Sequence, residues 1–235
     1  MDWHPRSHQK AKRTHRTSGL TDNSHALQTL VLATGNRHKQ EEILTYLADL
    51  PLRILTLRDF PDVPAIIEDG KTCTENAEKK AQGIADYTGH VTLADDTGLE
   101  VDALDGRPGV YAARYAGEDA SYEDNCQKLL KELRGIPTGH RQARFLTVVA
   151  IALPHGAVET VEGILNGEIT TQQKGTKGFG YDPVFLIPEL GKTLAEVSLD
   201  LKNRISHRAK ALAKAKELLT TKWIPHKKSG RSAAR

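Results

Sequence analysis

The 235-residue chain has two cysteines, Cys73 and Cys126. Two lone thiols exclude a disulfide framework, and their positions match no metal-ligand spacing. Both fall in helix-like segments and read as ordinary reduced thiols, which suits a cytoplasmic protein. No apolar run approaches the roughly 20 residues that span a bilayer, and the N-terminus lacks the apolar stretch of a secretory signal. The Gly-x-x-x-x-Gly-Lys-Ser/Thr run of a P-loop occurs nowhere, and no internal repeat is evident. What is present, 38% hydrophobic and 27% charged residues, describes a globular chain long enough to bury a substantial core.

The net charge of +3 divides unevenly. Residues 1–26 carry +3 and residues 222–235 carry +5, so the body, 27–221, is acidic at −5. Both ends read as disordered basic tails with little to bury, and 27–221 reads as the folded body. A protein built to bind nucleic acid wears its positive charge on the folded surface. Here the basicity lies in the tails, so nucleic acid is not expected as the main ligand.

Within the body, Thr29–Ala33 reads as a strand, followed by a turn through Gly35 and a helix with Ile43, Leu44 and Leu47 on one face. A second strand is expected at Arg53–Leu57 and a loop at Pro61–Pro64. Apolar residues at helical spacing predict a helix over Thr72–Tyr87. Strands are expected at Val91–Ala94 and Leu99–Leu104, with an acidic turn between them. A helix starts at Ser121, with Asp124 placed as its capping-box partner and Tyr122, Cys126, Leu129, Leu130 and Leu133 as its apolar stripe. Strands follow at Ala143–Leu153, Val158–Ile169 and Val184–Ile187, the first two joined by a turn at Pro154-His155-Gly156. A last helix is expected over about 206–220. This pattern implies a mixed α/β sheet flanked by helices, in two lobes with a cleft between.

Four runs carry the chemistry. The most informative is Asp95-Asp96 within Ala94-Asp95-Asp96-Thr97-Gly98-Leu99. Adjacent strand residues point to opposite sides, so the two carboxylates can take separate tasks, one holding a hard cation and one working on water. The second is Thr34-Gly35-Asn36-Arg37-His38-Lys39, where small residues, a helix start and a lysine suit a phosphate. Taken alone, an ordinary turn with a surface lysine is the better account of it. The third is Gly175-Thr176-Lys177-Gly178-Phe179-Gly180-Tyr181-Asp182-Pro183. Phe179 can stack on a flat base and Asp182 can accept hydrogen bonds from one, or the aromatics can simply plug a turn. The fourth is Lys202 with Ser206-His207-Arg208, a group of cations and donors at the start of the last helix. Glu68 is a lone loop carboxylate that matters only if the fold brings it to Asp95.

Taken in chain order, and with Glu75-Asn76-Ala77, Gly109-Val110-Tyr111, Ala113-Arg114-Tyr115 and Ala143-Arg144-Phe145, the four runs resemble the inosine triphosphate pyrophosphatase family, the XTP/dITP diphosphatases. The resemblance covers about Leu30 to Leu219. It implies an elongated α/β fold with a mixed sheet and a central substrate cleft, of the ITPase-like, anticodon-binding-like type, usually as a homodimer. It implies Mg²⁺-dependent hydrolysis of ITP, dITP and XTP to the monophosphate and pyrophosphate, which cleanses the nucleotide pool. By the same resemblance Glu68 and Asp95 are metal ligands, and Asp96 is the general base. Thr34, Gly35, Asn36 and Lys39 bind phosphate. Thr97, Phe179, Gly180, Tyr181, Asp182, Lys202, His207 and Arg208 contact the substrate. Thr97, Ala112 and Ala209 depart from the usual Ser, Ser and Gly. The alternative left open is a pyrophosphatase of the same fold with a different or broader base preference.

Overall fold

The computed structural model describes residues 27–224; the segments 1–26 and 225–235 lie outside the described residues. Its centre is an eight-stranded mixed sheet with the order β2-β1-β3-β5-β6-β7-β8, and β4 pairs with β3 beside this path. The strands are β1 (Gln28–Leu32), β2 (Leu52–Thr56), β3 (Val91–Val101), β4 (Pro108–Gly109), β5 (Gln142–Ala152), β6 (Val158–Ile169), β7 (Phe185–Ile187) and β8 (Lys192–Thr193). β1 runs parallel to both β2 and β3, and every later pairing is antiparallel. The expected mixed sheet is therefore present.

The helices are α1 (Arg37–Leu47), α2 (Cys73–Thr88), α3 (Tyr122–Glu132), α4 (Leu199–Ile205) and α5 (His207–Leu218). Their starts are written in the sequence. Thr72 caps α2 through Glu75 N–H, and α2 ends at Gly89 in the left-handed region. The capping box of Ser121 and Asp124 forms at α3 as expected. Ser206 closes α4 and caps α5 at once, accepting from Ala209 N–H. The short, polar α4 was not expected, because seven residues offer too little periodicity to read.

Side-chain alternation sorts the core. On one face of the sheet Leu30, Leu32, Leu93, Val149 and Ile151 pack under α1 and α5. On the other Val31, Ala33, Ala94, Val148, Ala150 and Ala152 pack against α2. A third cluster, around Leu99, Phe145, Phe185 and α3, fills the far end of the long strands. Leu44 does not share the buried face of α1 with Ile43 and Leu47; it is 38% exposed. The packing also continues past the expected boundary at 221, since Trp223 and Ile224 lie against the α1–α5 cluster.

The largest departure from expectation concerns β3. Asp95 and Asp96 do not form a turn between two strands; one continuous strand of eleven residues carries them. β1 pairs with β3 only as far as Leu93, and β4 pairs with it only from Leu99. Between these points β3 keeps β5 on one side, while its other edge has no strand beside it among the described residues. The two carboxylates thus sit in regular backbone at a gap in the sheet, beyond the carboxyl end of parallel strand β1. Ligands bind in such crevices in open α/β sheets.

α5 reaches the gap because Gly163 of β6 lets it lie directly on the sheet. A Cβ at Gly163 would stand 2.1 Å from the His207 carbonyl oxygen and 2.4 Å from Ala211 N. Backbone cannot yield as a flexible side chain can. Gly163→Ala is expected to destabilise by at least the ~1–3 kcal/mol of ordinary overpacking. Gly35→Ala, whose Cβ would meet nothing within 4 Å, is expected to stay within about 0.5 kcal/mol of the parent. Urea unfolding of the two variants side by side checks this.

Candidate active site

A cavity of about 530 Å³ occupies the gap, lined from both faces of the sheet. Thr34, Gly35, Asn36 and Lys39 enter it from the turn after β1, and Glu68, Asn76, Lys80 and Asp96 from the α2 side. Phe179, Gly180, Tyr181, Asp182, Lys202, His207 and Arg208 close its other end with Tyr122 and Phe145. The four sequence runs, more than 170 positions apart at the extremes, therefore meet in one place.

Asp95 departs from the expected metal-binding role. It is wholly buried on the α1–α5 face and does not line the cavity. Its Oδ2 lies 3.1 Å from Lys39 Nζ and accepts from Arg208 Nε at 3.1 Å. Its Oδ1 has no hydrogen-bond partner among the described residues. Burial pushes this carboxyl up, but the Lys39 and Arg208 charges outweigh burial and hold it well below the usual carboxylate range. Two cations already neutralise this group, so it anchors them.

The same ion pairs extend further. Arg208 Nη1 donates to Glu42 Oε2 at 2.6 Å, and Lys202 Nζ lies 3.1 Å from Glu42 Oε1 and 2.5 Å from Asp182 Oδ2. Glu42, Lys202, Asp182 and Arg208 are all buried. The network ties α1, β3, α4 and α5 to the glycine-rich loop. Sequence reading missed Glu42; the one available signal is an acid on the α1 face that also buries Ile43 and Leu47.

Asp96 points the other way, toward α2. Asn76 Nδ2 donates to its Oδ2 at 3.3 Å, while Asn76 Oδ1 accepts from Gly70 N–H at 2.7 Å. Burial raises the Asp96 carboxyl, Lys39 and Lys80 oppose the rise, and the neighbouring Glu68 adds to it. Glu68 is held by Lys80 Nζ at 2.9 Å, and its carbonyl accepts from Arg114. Lys80 is a second residue that sequence reading missed. Among the described residues no group of three His, Cys, Asp or Glu side chains forms a ready-made metal cage. Two carboxylates of the cavity wall, Glu68 and Asp96, suit a hard cation that takes its other ligands from phosphate oxygens and water.

At the turn after β1, Asn36 Oδ1 caps α1 by accepting from His38 and Lys39 N–H, and its Nδ2 donates to the Tyr122 hydroxyl. Thr34 Oγ1 accepts from Asn36 N–H. Tyr122, expected as part of an apolar stripe, is 41% exposed and faces this turn. Phe179 stacks on His38 with ring centres 5.0 Å apart and an interplanar angle of 16°, and it lies 5.9 Å from Tyr122. Lys202 Nζ sits 4.6 Å from the Phe179 ring centre. Gly178 is required there, because a Cβ would meet Asp182 Oδ2, the atom that accepts from Phe179 N–H at 2.9 Å. Tyr181 has its ring in the core and donates its hydroxyl to Ala112 O at 2.8 Å, so its role is to brace the loop.

An α/β sheet with a cleft of this kind, where carboxylates and lysines share one cavity with stacked rings, defines a protein built to bind a phosphorylated ligand with a flat moiety. Residues 30–218 match the Ham1 family. The chain is 52% identical over 190 residues to a dITP/XTP pyrophosphatase of Geobacter sulfurreducens, covering 81% of this chain and 96% of that one. It is 49% identical over 195 residues to the dITP/XTP pyrophosphatase of Desulforamulus reducens, covering 83% and 97%. Among solved structures, a HAM1 protein from Coxiella burnetii superposes with a TM-score of 0.77 at 39% identity, covering 83% of this chain and 99% of that one. The Ham1 protein of Staphylococcus aureus gives 0.74 at 36%, covering 82% and 98%. The chain belongs to the Ham1 family.

Removing the Asp95 charge leaves Lys39 and Arg208 unbalanced. Asp95→Asn is expected to cost about 3–5 kcal/mol at pH 7. The native carboxyl is depressed below its ordinary 3.8, so its contribution is complete above that value and is lost as pH falls through the folded-state value. The stability gap between wild type and Asp95→Asn should therefore be widest near neutrality and close below pH 3.8. Urea midpoints across that range measure it.

Proposed function

We propose that this protein hydrolyses non-canonical purine nucleoside triphosphates, dITP, ITP and XTP, to the monophosphate and pyrophosphate. The observation that carries the reading is that one cavity brings Asp96, Glu68, Lys80 and Lys39 together with Phe179, His207 and Arg208. The activity for which relatives at 52% and 49% identity are named, dITP/XTP pyrophosphatase, supports it.

Lys39 and Lys80 offset the charge of the triphosphate, which otherwise repels a carboxylate and the water it activates. Asp96, made more basic by burial, takes a proton from water as its oxygen bonds to the α-phosphorus and the bridge to the β-phosphate breaks. Pyrophosphate leaves with the bridging oxygen. Glu68 and Asp96 would hold Mg²⁺, which would supply further charge neutralisation at the phosphates. Phe179 receives the base in place of the His38 ring that it now stacks on. A cytoplasmic setting and a homodimer belong to the same proposal. Two buried free cysteines support the first, and the resemblance in sequence supports the second.

Pyrophosphate release from dITP is expected to exceed release from dGTP and dATP by about a hundredfold, a recognition gap of roughly 2.7 kcal/mol, and to stop in EDTA. Comparable rates on all three would leave a pyrophosphatase without base selection; no release at all would end the assignment. Asp96→Asn is expected to fold as wild type by circular dichroism and to lose nearly all turnover. Wild-type rates from that variant would remove Asp96 from the role of base.

A further inference from the structure

The α5 face of β3 and β5 carries a chain of four polar groups. Arg208 Nη2 donates to Thr97 Oγ1 at 3.1 Å. Thr97 Oγ1 lies 2.7 Å from Thr147 Oγ1, its direct cross-strand neighbour, and Thr147 Oγ1 lies 2.6 Å from His207 Nδ1. Thr147 and His207 are buried. We propose that Thr97 and Thr147 form a one-way hydrogen-bond relay from Arg208 that holds the ring proton of His207 on Nε2, making that atom the donor that selects a purine with oxygen at C6. The selectivity half of this inference rests on the nucleotide reading above.

The direction follows from what each group can do. A guanidinium only donates, so Thr97 accepts from Arg208 and its own hydrogen is available to Thr147. Thr147, having accepted, passes its hydrogen to Nδ1. Each hydroxyl then accepts once and donates once, and Nδ1 is an acceptor. If Nδ1 carried the proton instead, one of the two threonine hydrogens would have no partner among the described residues. On Thr147, which is buried, such an unpaired hydrogen is costly; on half-buried Thr97 it would turn toward the cavity. Burial foremost, then the positive charges of Arg208, Lys202 and Lys39, keeps the imidazole neutral. A neutral ring with Nδ1 occupied presents one donor, Nε2–H, and no acceptor.

That donor faces the ligand. His207 lines the cavity, stacked on Phe145 with ring centres 4.5 Å apart, and its Nε2 makes no hydrogen bond among the described residues. A carbonyl oxygen at C6 satisfies it. An amino group there sets donor against donor, and the mismatch acts through an unpaired buried group. Thr147 touches no substrate on this account. It is a positioning residue, acting through His207.

The test uses the full-length protein labelled with ¹⁵N-histidine, with the His207 signals identified by their absence in His207→Gln. The expected spectrum near neutral pH shows an acceptor-type Nδ1 and a protonated Nε2. Thr147→Val removes the hydroxyl at similar volume. It is expected to shift the ring toward a mixture of tautomers and to lower the dITP-to-dATP ratio of kcat/KM by about tenfold, the worth of one hydrogen bond. Thr147→Ser should restore both. A proton on Nδ1 in the wild type overturns the relay, whatever the variants do. A Thr147→Val protein with wild-type tautomer and ratio also overturns it, and a shifted tautomer with an unchanged ratio overturns its part in selection. If the wild type hydrolyses no dITP, the proposed function fails, while the spectrum still decides the relay on its own.

Discussion

The site depends on one buried carboxylate. Asp95 joins Lys39 of α1 to Arg208 of α5 across the middle of the sheet, and through Arg208 it reaches Glu42, Lys202 and Asp182. Buried ion pairs contribute little to stability against a hydrophobic alternative, because removing charges from water costs as much as their attraction returns. Their worth here is geometric. Each member has several partners in fixed directions, so the glycine-rich loop, the turn after β1 and the start of α5 are held in one arrangement. The groups that face the ligand inherit their positions from groups that do not.

Much of this was legible in the sequence. The capping box at Ser121 and the hairpin at Pro154-His155-Gly156 use short-range signals, and each falls where local chemistry puts it. The acidic pair misled on one point and informed on another. Adjacent charges look like a turn, since a strand interior seldom tolerates them. Here the gap beside β3 gives Asp96 a cavity and the two cations give Asp95 partners, so a regular strand is tolerated. Strand alternation still sends the two carboxylates to opposite faces. What no pairwise spacing reveals is long-range partnership. Glu42 and Arg208 meet across 166 positions, and Lys80 matters only because the loop before α2 brings Glu68 over it. Such residues look like ordinary solvated charges until the fold is known.

The cleft also shows how one site can hold a strongly anionic group and read a neutral ring. Glu68, Lys80 and Asp96 lie on the α2 side of β3, while Phe179, His207 and Arg208 lie toward α5, and Lys39 meets Asp95 beside Arg208. Membership of the Ham1 family and the activity named for its close relatives agree with that division. No helix among the described residues is long and apolar enough to cross a membrane.

The unbroken run of β3 has a consequence for how such a protein changes over time. Asp96 and Thr97 are consecutive residues, yet a sheet one backbone thick stands between their side chains. Substitutions on the α5 side can retune which ring is accepted while the groups on the α2 side keep their places. The strand works as a bulkhead between Asp96 and Thr97, and Asp95 is the point at which the two sides remain coupled, through Lys39 and Arg208.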